Sequence, residues 1–268
     1  MKIAAYIVVK NDAFYIDMAI QSVLPYVSGI YIQDQKSTDG TTDIIRSFAG
    51  QYPDIIKHEI IDTTIEDRFD PNYNEPKYRS LGVQRAEDLF NPEYILKLDA
   101  DEIYTDYFFQ NIFSMQDVLK DYQGVRVSGE RFISKIYKTA CPYSAVEGPG
   151  GKKFYDPHTQ LWKASLNLRY VKNPSMVGFL HCVHVPDPIP AFWLSGICNI
   201  HLHRTFGPKA FKFWAEGEEE FEEKTPFNPK VSAPNWYNSY VNMETAEKAN
   251  FEWPDFVLNK WKAWGIWE

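Results

Sequence analysis

Cysteine is scarce in this chain. There are three in 268 residues, Cys141, Cys182 and Cys198, and none falls in a CxxC spacing. An odd number cannot all pair internally, so reduced thiols in a cytoplasmic setting are expected as the simplest account. Positive charge is also short. Twenty-eight Lys and Arg stand against 36 Asp and Glu, a formal net charge of −8. That balance argues against a general nucleic-acid binder or an anionic-membrane binder. Long apolar runs are missing as well. Ile3 to Val9 is seven residues, ends at Lys10-Asn11-Asp12 and has no small-residue cleavage site. No signal peptide is expected, and no stretch approaches the ~20 apolar residues that span a bilayer. The expectation is a soluble protein, at most peripheral to a membrane. Glycine is absent from Val8-Val9-Lys10-Asn11, which disfavours the Gly-rich phosphate loop that a nucleotidyltransferase would carry there.

Aromatic residues, by contrast, are abundant at 16%. They suit stacking surfaces for sugars or bases, and core packing accounts for them equally well. Hydrophobic residues at 44% and charged residues at 24% make an ordinary globular balance, in a chain long enough for one sizeable core.

Apolar periodicity alternates between strand and helix through the first hundred residues. Ile3–Val9 reads as a buried strand, followed by a helix with Ile16, Ile20, Val23 and Leu24 on one face, ended by Pro25. Gly29–Asp34 is a second strand. Ser37-Thr38-Asp39-Gly40-Thr41 is turn chemistry, and Thr41 or Thr42 is expected to cap a helix through Ile44, Ile45 and Phe48. Ile55–Ile61 is a third strand, Asp62–Glu75 a loop, Lys77–Phe90 a helix and Tyr94–Leu98 a fourth strand. This order predicts an α/β fold, a mostly parallel sheet flanked by helices. The rest is less regular. Strands are expected at Val125–Val127, Phe132–Tyr137, Leu161-Trp162, Leu166–Val171 and Val177–Val185, with a mobile loop at Tyr143–Lys153. Helices are expected over about Lys209–Lys224 and in the Trp-rich tail, Phe251–Glu268. The tail holds Trp253, Trp261, Trp264 and Trp267 and is expected to pack over the sheet rather than meet a membrane. With no repeats and no clear linker, residues 1–268 read as one domain, with halves at 1–105 and 106–268.

The fourth strand ends in Asp99-Ala100-Asp101-Glu102. In open α/β sheets ligands bind beyond the C-terminal ends of the strands. In an extended segment Asp99 and Asp101 project to the same side. Three adjacent carboxylates repel unless a cation or solvent offsets them, and oxygen-only ligation suits Mg²⁺ or Mn²⁺. The plainer reading is a solvated acidic turn.

Three separated segments carry a resemblance. Tyr6-Ile7-Val8-Val9-Lys10-Asn11-Asp12, Ile32-Gln33-Asp34-Gln35-Lys36-Ser37-Thr38-Asp39-Gly40-Thr41, and Tyr78-Arg79-Ser80-Leu81-Gly82 running on to Asp99-Ala100-Asp101-Glu102 resemble, in order and spacing, the GT-A-fold glycosyltransferases of family 2. The resemblance covers roughly the first 105 residues. It implies a Rossmann-like GT-A domain, a nucleotide-sugar donor (a UDP-sugar), a glycan or glycoconjugate acceptor, and Mn²⁺ or Mg²⁺. It implies that Val8, Lys10, Asp34 and Arg79 meet the nucleotide, with Asp34 reading the base. Asp99 would meet the ribose or metal, Asp101 would ligate the metal, and Glu102 would stand behind them or face the acceptor. Asp34 has a second reading as a cap on its own turn, and Arg79 as one half of an ion pair. Lys10 replaces an aromatic, and Gln35-Lys36 replaces Asp-Gly.

The second half is similar to some subfamilies at Gly178–His184 and Ile200–Thr205. That similarity implies a histidine in the metal shell, His201 or His203, with Arg204, Lys209 and Lys212 near phosphate. An inverting reaction needs a carboxylate base for the acceptor hydroxyl. The expected position holds Cys182, so Asp187 is the candidate base, with Asp156 and Glu147 behind it. A sugar-binding module that lost the base, a retaining mechanism and a nucleotidyltransferase are the alternatives.

Overall fold

The computed structural model describes residues 1–63, 73–132, 137–139, 145–155, 158–172, 182–183, 189–202, 246–248 and 251–263. The elements are β1 (Ile3–Val9), α1 (Ile16–Val23), β2 (Gly29–Asp34), α2 (Thr41–Gln51), β3 (Ile56–Ile60), α3 (Glu75–Phe90), β4 (Tyr94–Lys97), β5 (Glu102–Tyr104), α4 (Asp106–Ser114) and α5 (Gln116–Leu119). They continue as β6 (Gly124–Phe132), β7 (Tyr137–Thr139), β8 (Ala145–Glu147), β9 (Lys153–Tyr155), β10 (His158–Lys163), β11 (Val171–Lys172), β12 (Cys182–Val183), β13 (Ala191–His201), β14 (Ala246–Lys248) and α6 (Asp255–Ala263).

The expected α/β architecture is present. Strands run β3-β2-β1-β4 in parallel, so the sheet order reverses between β1 and β4. β10 then lies antiparallel between β4 and β6, and β13 pairs with both β5 and β6. β1 is buried on both faces, which explains its unbroken apolar run. Ile3, Ala5, Ile7 and Val9 join α1, α2 and α4 on one side, while Ala4 and Tyr6 pack against Val83, Ala86 and Phe90 of α3 on the other. A Cβ on Gly82 would stand 2.8 Å from the Tyr6 ring, so glycine lets α3 lie close over β1.

Several local expectations need correction. The α2 N-cap is Gly40, in the left-handed region at φ 97°, and the Thr41 hydroxyl turns to Asp39 instead of capping. α3 begins at Glu75 rather than Lys77, because the Asn74 side chain accepts from Lys77 N and Pro76 fits the first turn. Leu166–Val171 is not a strand: Ala164–Leu166 is a 3₁₀ turn and Asn167 has φ 52°, which breaks the extended run before β11. Part of the expected mobile loop is the β8–β9 hairpin, closed by Pro149–Gly151. Most important, β4 ends at Lys97. Ala100-Asp101 is a turn in which Glu102 N donates to the Asp99 carbonyl at 3.0 Å, so Asp99 and Asp101 do not share one side of an extended strand.

The aromatic tail packs inward, as expected. Trp253 and Trp261 are buried beside Phe14, Tyr15 and Met18, their rings 4.7 Å apart. Trp264, Trp267 and the expected 209–224 helix lie outside the described residues. No helix among the described residues is long and apolar enough to cross a membrane.

Candidate functional site

In α/β sheets a reversal of strand order, here between β1 and β4, marks the crevice beyond the strands' C-terminal ends where ligands bind. Four charged residues converge there. Arg79 reaches from α3 and donates to Asp99 Oδ1 through Nη1 at 2.7 Å and to Glu75 Oε1 through Nε at 2.7 Å. Lys97, at the end of β4, donates to Asp99 Oδ2 at 2.6 Å. Both carboxylate oxygens of Asp99 therefore rest on cations. Burial opposes ionisation of Asp99, but Arg79 and Lys97 outweigh it and hold its carboxyl well below the usual range. The same pairings outweigh burial at Arg79 and Lys97 and raise both.

Glu102 lies beneath this pair and is fully buried. One of its oxygens accepts from Asp99 N at 3.1 Å, the other stands 3.1 Å from His201 Nε2, and Lys97 Nζ is 3.4 Å away. Burial and then the neighbouring carboxylates Asp99 and Asp101, only partly offset by Lys97, push the Glu102 carboxyl up to about 7. His201 comes from the end of β13, opposite Glu102 in the β5 pairing, and Leu202 N donates to the Asp101 carbonyl at 2.7 Å. The C-terminal half thus fastens the acidic turn through the backbone, with the His201 ring standing beside Glu102.

Along β1 and β2 the two motif turns are laced to each other. Asn11 N donates to Ser37 Oγ at 2.9 Å, Thr38 N to Asn11 Oδ1 at 2.8 Å, Asp12 N to Thr41 Oγ1 at 2.9 Å and Ala13 N to Asp39 Oδ2 at 3.0 Å. Asn11 and Lys36 adopt left-handed backbone, at φ 55° and 57°. Beside them lies a cavity of about 210 Å³ lined by Lys10, Asn11, Lys36, Thr38 and Thr63. Val8 packs at the edge of the α3-side cluster. Asp34 is fully buried, and its carboxylate accepts from Ser37 N at 2.9 Å and from the Thr42 hydroxyl. In this structure the Asp34 side chain caps its own turn.

Arg79, Asp99 and His201 are thus brought to one crevice, with Asp101 in its turn, while Val8, Lys10 and Asp34 flank it. His203, Asp187 and Asp156 lie outside the described residues, and of Cys182 only the backbone strand is described. Glu147 is exposed on β8. Sequence reasoning passed over Lys97 and Glu75. A lysine inside an otherwise apolar strand, two residues before Asp99, was the available signal.

The donor chemistry suits a hard divalent cation: carboxylate oxygens, and four acids (Glu75, Asp99, Asp101, Glu102) facing two cations. No three His, Cys, Asp or Glu side chains among the described residues converge to hold an ion.

Together the strand order and the charged cluster define a mixed α/β fold with a candidate site at the point of strand reversal. A family model for beta-1,4-N-acetylgalactosaminyltransferase (CgtA) matches residues 1–139 of the 268, and the chain belongs to this glycosyltransferase family. No curated protein matches its sequence. Among solved structures, it is similar to the mannosyltransferase PcManGT from Pyrobaculum calidifontis, in complex with GDP-Man and Mn²⁺, at 17% identity and TM-score 0.36, over 48% of this chain and 35% of that one. It is also similar to glucosyl-3-phosphoglycerate synthase from Mycobacterium tuberculosis, in complex with Mn²⁺ and UDP-glucose, at 16% identity and TM-score 0.31, over 48% and 43%. The chain spans less than half the length of either.

Proposed function

We propose that this chain transfers a sugar from a UDP-sugar to a hydroxyl of a glycan or glycoconjugate, with inversion, using Mn²⁺ or Mg²⁺. The family name points to N-acetylgalactosamine as the sugar and to a β-1,4 linkage. The observation that carries the reading is the Asp99 carboxylate held between Arg79 and Lys97 at the strand reversal. Asp99, Asp101 and a histidine, His201 or His203, would hold the cation. When bound, it would neutralise charge developing on the diphosphate leaving group.

The chain's own residues do the rest. Arg79 and Lys97 fix the Asp99 carboxylate, and Glu102 fixes the Asp99 amide, so the acidic turn needs little reorganisation when donor arrives. The Lys10–Thr63 cavity would take the base, with lysine and threonine donors in place of an aromatic stack. Asp34 would read the base with the acceptor capacity its turn leaves over. The acceptor oxygen attacks the anomeric carbon, the bond to the diphosphate breaks, and the acceptor proton passes to a base, for which Asp187 is our candidate. Residues 1–268 act as one domain in this reading, because β10 and β13 of the second half complete the sheet of the first. A cytoplasmic setting is part of this reading, supported by an odd number of cysteines with no CxxC spacing.

Calorimetric titration of UDP and GDP, each with and without Mn²⁺, tests the proposal. UDP binding that exceeds GDP, strengthens with Mn²⁺ and loses that gain in Asp101→Ala supports it. Binding of neither nucleotide under any condition overturns it.

A further inference from the structure

We propose that Tyr170 is the positioning residue that holds the Arg79 guanidinium on Asp99, and thereby sets the affinity of the crevice for a nucleoside diphosphate. The inference rests on the donor-site reading above, and its test is built to fail separately.

Tyr170 belongs to the second half of the chain, yet it is fastened to both α3 and β1. Ser80 Oγ accepts from Tyr170 N at 2.9 Å and donates to the Tyr170 carbonyl at 3.2 Å. Beside it, Arg169 forms a two-point pair with Glu87, through Nη2 at 2.6 Å and Nη1 at 3.3 Å. Ser80 and Glu87 are seven residues apart and so lie along one face of the helix. The Tyr170 side chain is buried, and its hydroxyl shares a hydrogen bond with the hydroxyl of Tyr6 on β1. The two rings meet edge to face with centroids 6.4 Å apart.

That frame places the Tyr170 ring beneath Arg79, whose guanidinium carbon is 5.9 Å from the ring centroid, within cation–π range. Arg79 has its Nε on Glu75 and its Nη1 on Asp99. Two carboxylates define two edges of the guanidinium plane, and its central carbon lies over the Tyr170 ring. Arginine on a long flexible stem loses considerable rotamer freedom in such a pose. The ring restricts that freedom before donor arrives, which is how preorganisation raises affinity. Tyr170 meets Arg79, which in turn donates to Asp99, and the proposal assigns its effect on the donor site to that contact.

The experiment compares wild type, Tyr170→Phe and Tyr170→Leu, each in the native and the Arg79→Lys background. Two readouts are used: UDP titration with Mn²⁺, and the ¹⁵N-edited NMR signal of Arg79 Nε–H, assigned by its loss in Arg79→Lys. We expect Tyr170→Leu to weaken UDP by about tenfold, the scale of one partly desolvated cation–π contact. Tyr170→Phe keeps the ring and should stay within about threefold, the loss of one neutral hydrogen bond. In the Arg79→Lys background Tyr170→Leu should add nothing. The Arg79 Nε–H signal should persist in Tyr170→Phe and broaden or vanish in Tyr170→Leu. Equal losses in both backgrounds, or an unchanged Nε–H signal in Tyr170→Leu, would overturn the proposal. Should Tyr170→Leu not fold, Tyr170→Met fills similar space without a ring face and takes its place. If wild type binds no UDP, the donor-site reading fails, and the Nε–H signal alone then decides the role of Tyr170.

Discussion

At the scale of single residues, Lys97 carries the largest consequence. It is buried, and it faces Asp99 and Glu102 at once. In Lys97→Met both carboxylates keep their burial and lose a cation. Removing one partner of a buried pair costs roughly 3–5 kcal/mol, which urea denaturation would read directly. UDP affinity should fall at least as much as in Asp99→Ala. Asp39 makes a pH prediction. Burial raises its carboxyl, but hydrogen bonds from the Thr41 hydroxyl and from Ala13 and Thr41 amides prevail and hold it below the usual range. A lowered carboxyl adds stability above its unfolded value and loses it as pH falls through the folded one. Asp39→Asn should therefore flatten the decline of stability below about pH 4, the ordinary aspartate range. An acid limb as steep as that of wild type would contradict the assignment.

At the scale of elements, α3 is the delicate one. It carries Arg79 over β1 at a distance that only Gly82 permits. Gly82→Ala should cost roughly 1–3 kcal/mol through overpacking against Tyr6, seen as a lower Tm, and should weaken UDP by displacing Arg79. Elements of this kind were the part most legible in sequence. β1 and β2 matched their expected bounds to the residue, because a strand buried on both faces has an unmistakable apolar run bounded by turn residues. The strand β13 and the helix α4 were not read, because the strand mixes Ser195, Gly196 and Asn199 into its apolar positions, and α4 depends on burial of Phe108, Phe109 and Ile112 against distant strands. The site divides the same way. Arg79, Asp99 and Asp101 stood in recognisable local patterns. Lys97 and Glu75 meet their partners only 2 and 4 residues away, a local signal in a strand lysine and a helical pair, whereas Tyr170 meets Tyr6 across 164 residues, which no local pattern encodes.

At the scale of the molecule, α1 and α6 meet across 243 residues of sequence. Lys260 of α6 donates to Asp17 of α1 at 2.8 Å, and Trp261 is buried with Phe14 and Tyr15. Trp261→Ala should cost about 3–5 kcal/mol, as large-to-small changes of buried aromatics do. If residues 1–268 form one cooperative unit, that variant should still melt in a single calorimetric transition at a lower temperature. Two transitions would divide the chain into separate domains.

β10 has a consequence for a ribosome-bound or truncated chain. Ile95 and Leu96 of β4 find their outer partners in Trp162 and Leu161, more than sixty residues downstream. Until that stretch has emerged, the strand that ends in the carboxylate turn is an open, apolar edge, the kind that templates aggregation. Residues 1–139 alone should therefore collect in the insoluble fraction on expression, whereas 1–172 should gain solubility from the single strand that closes the edge. Biosynthesis itself would then withhold the geometry of the acidic turn until the second half is made.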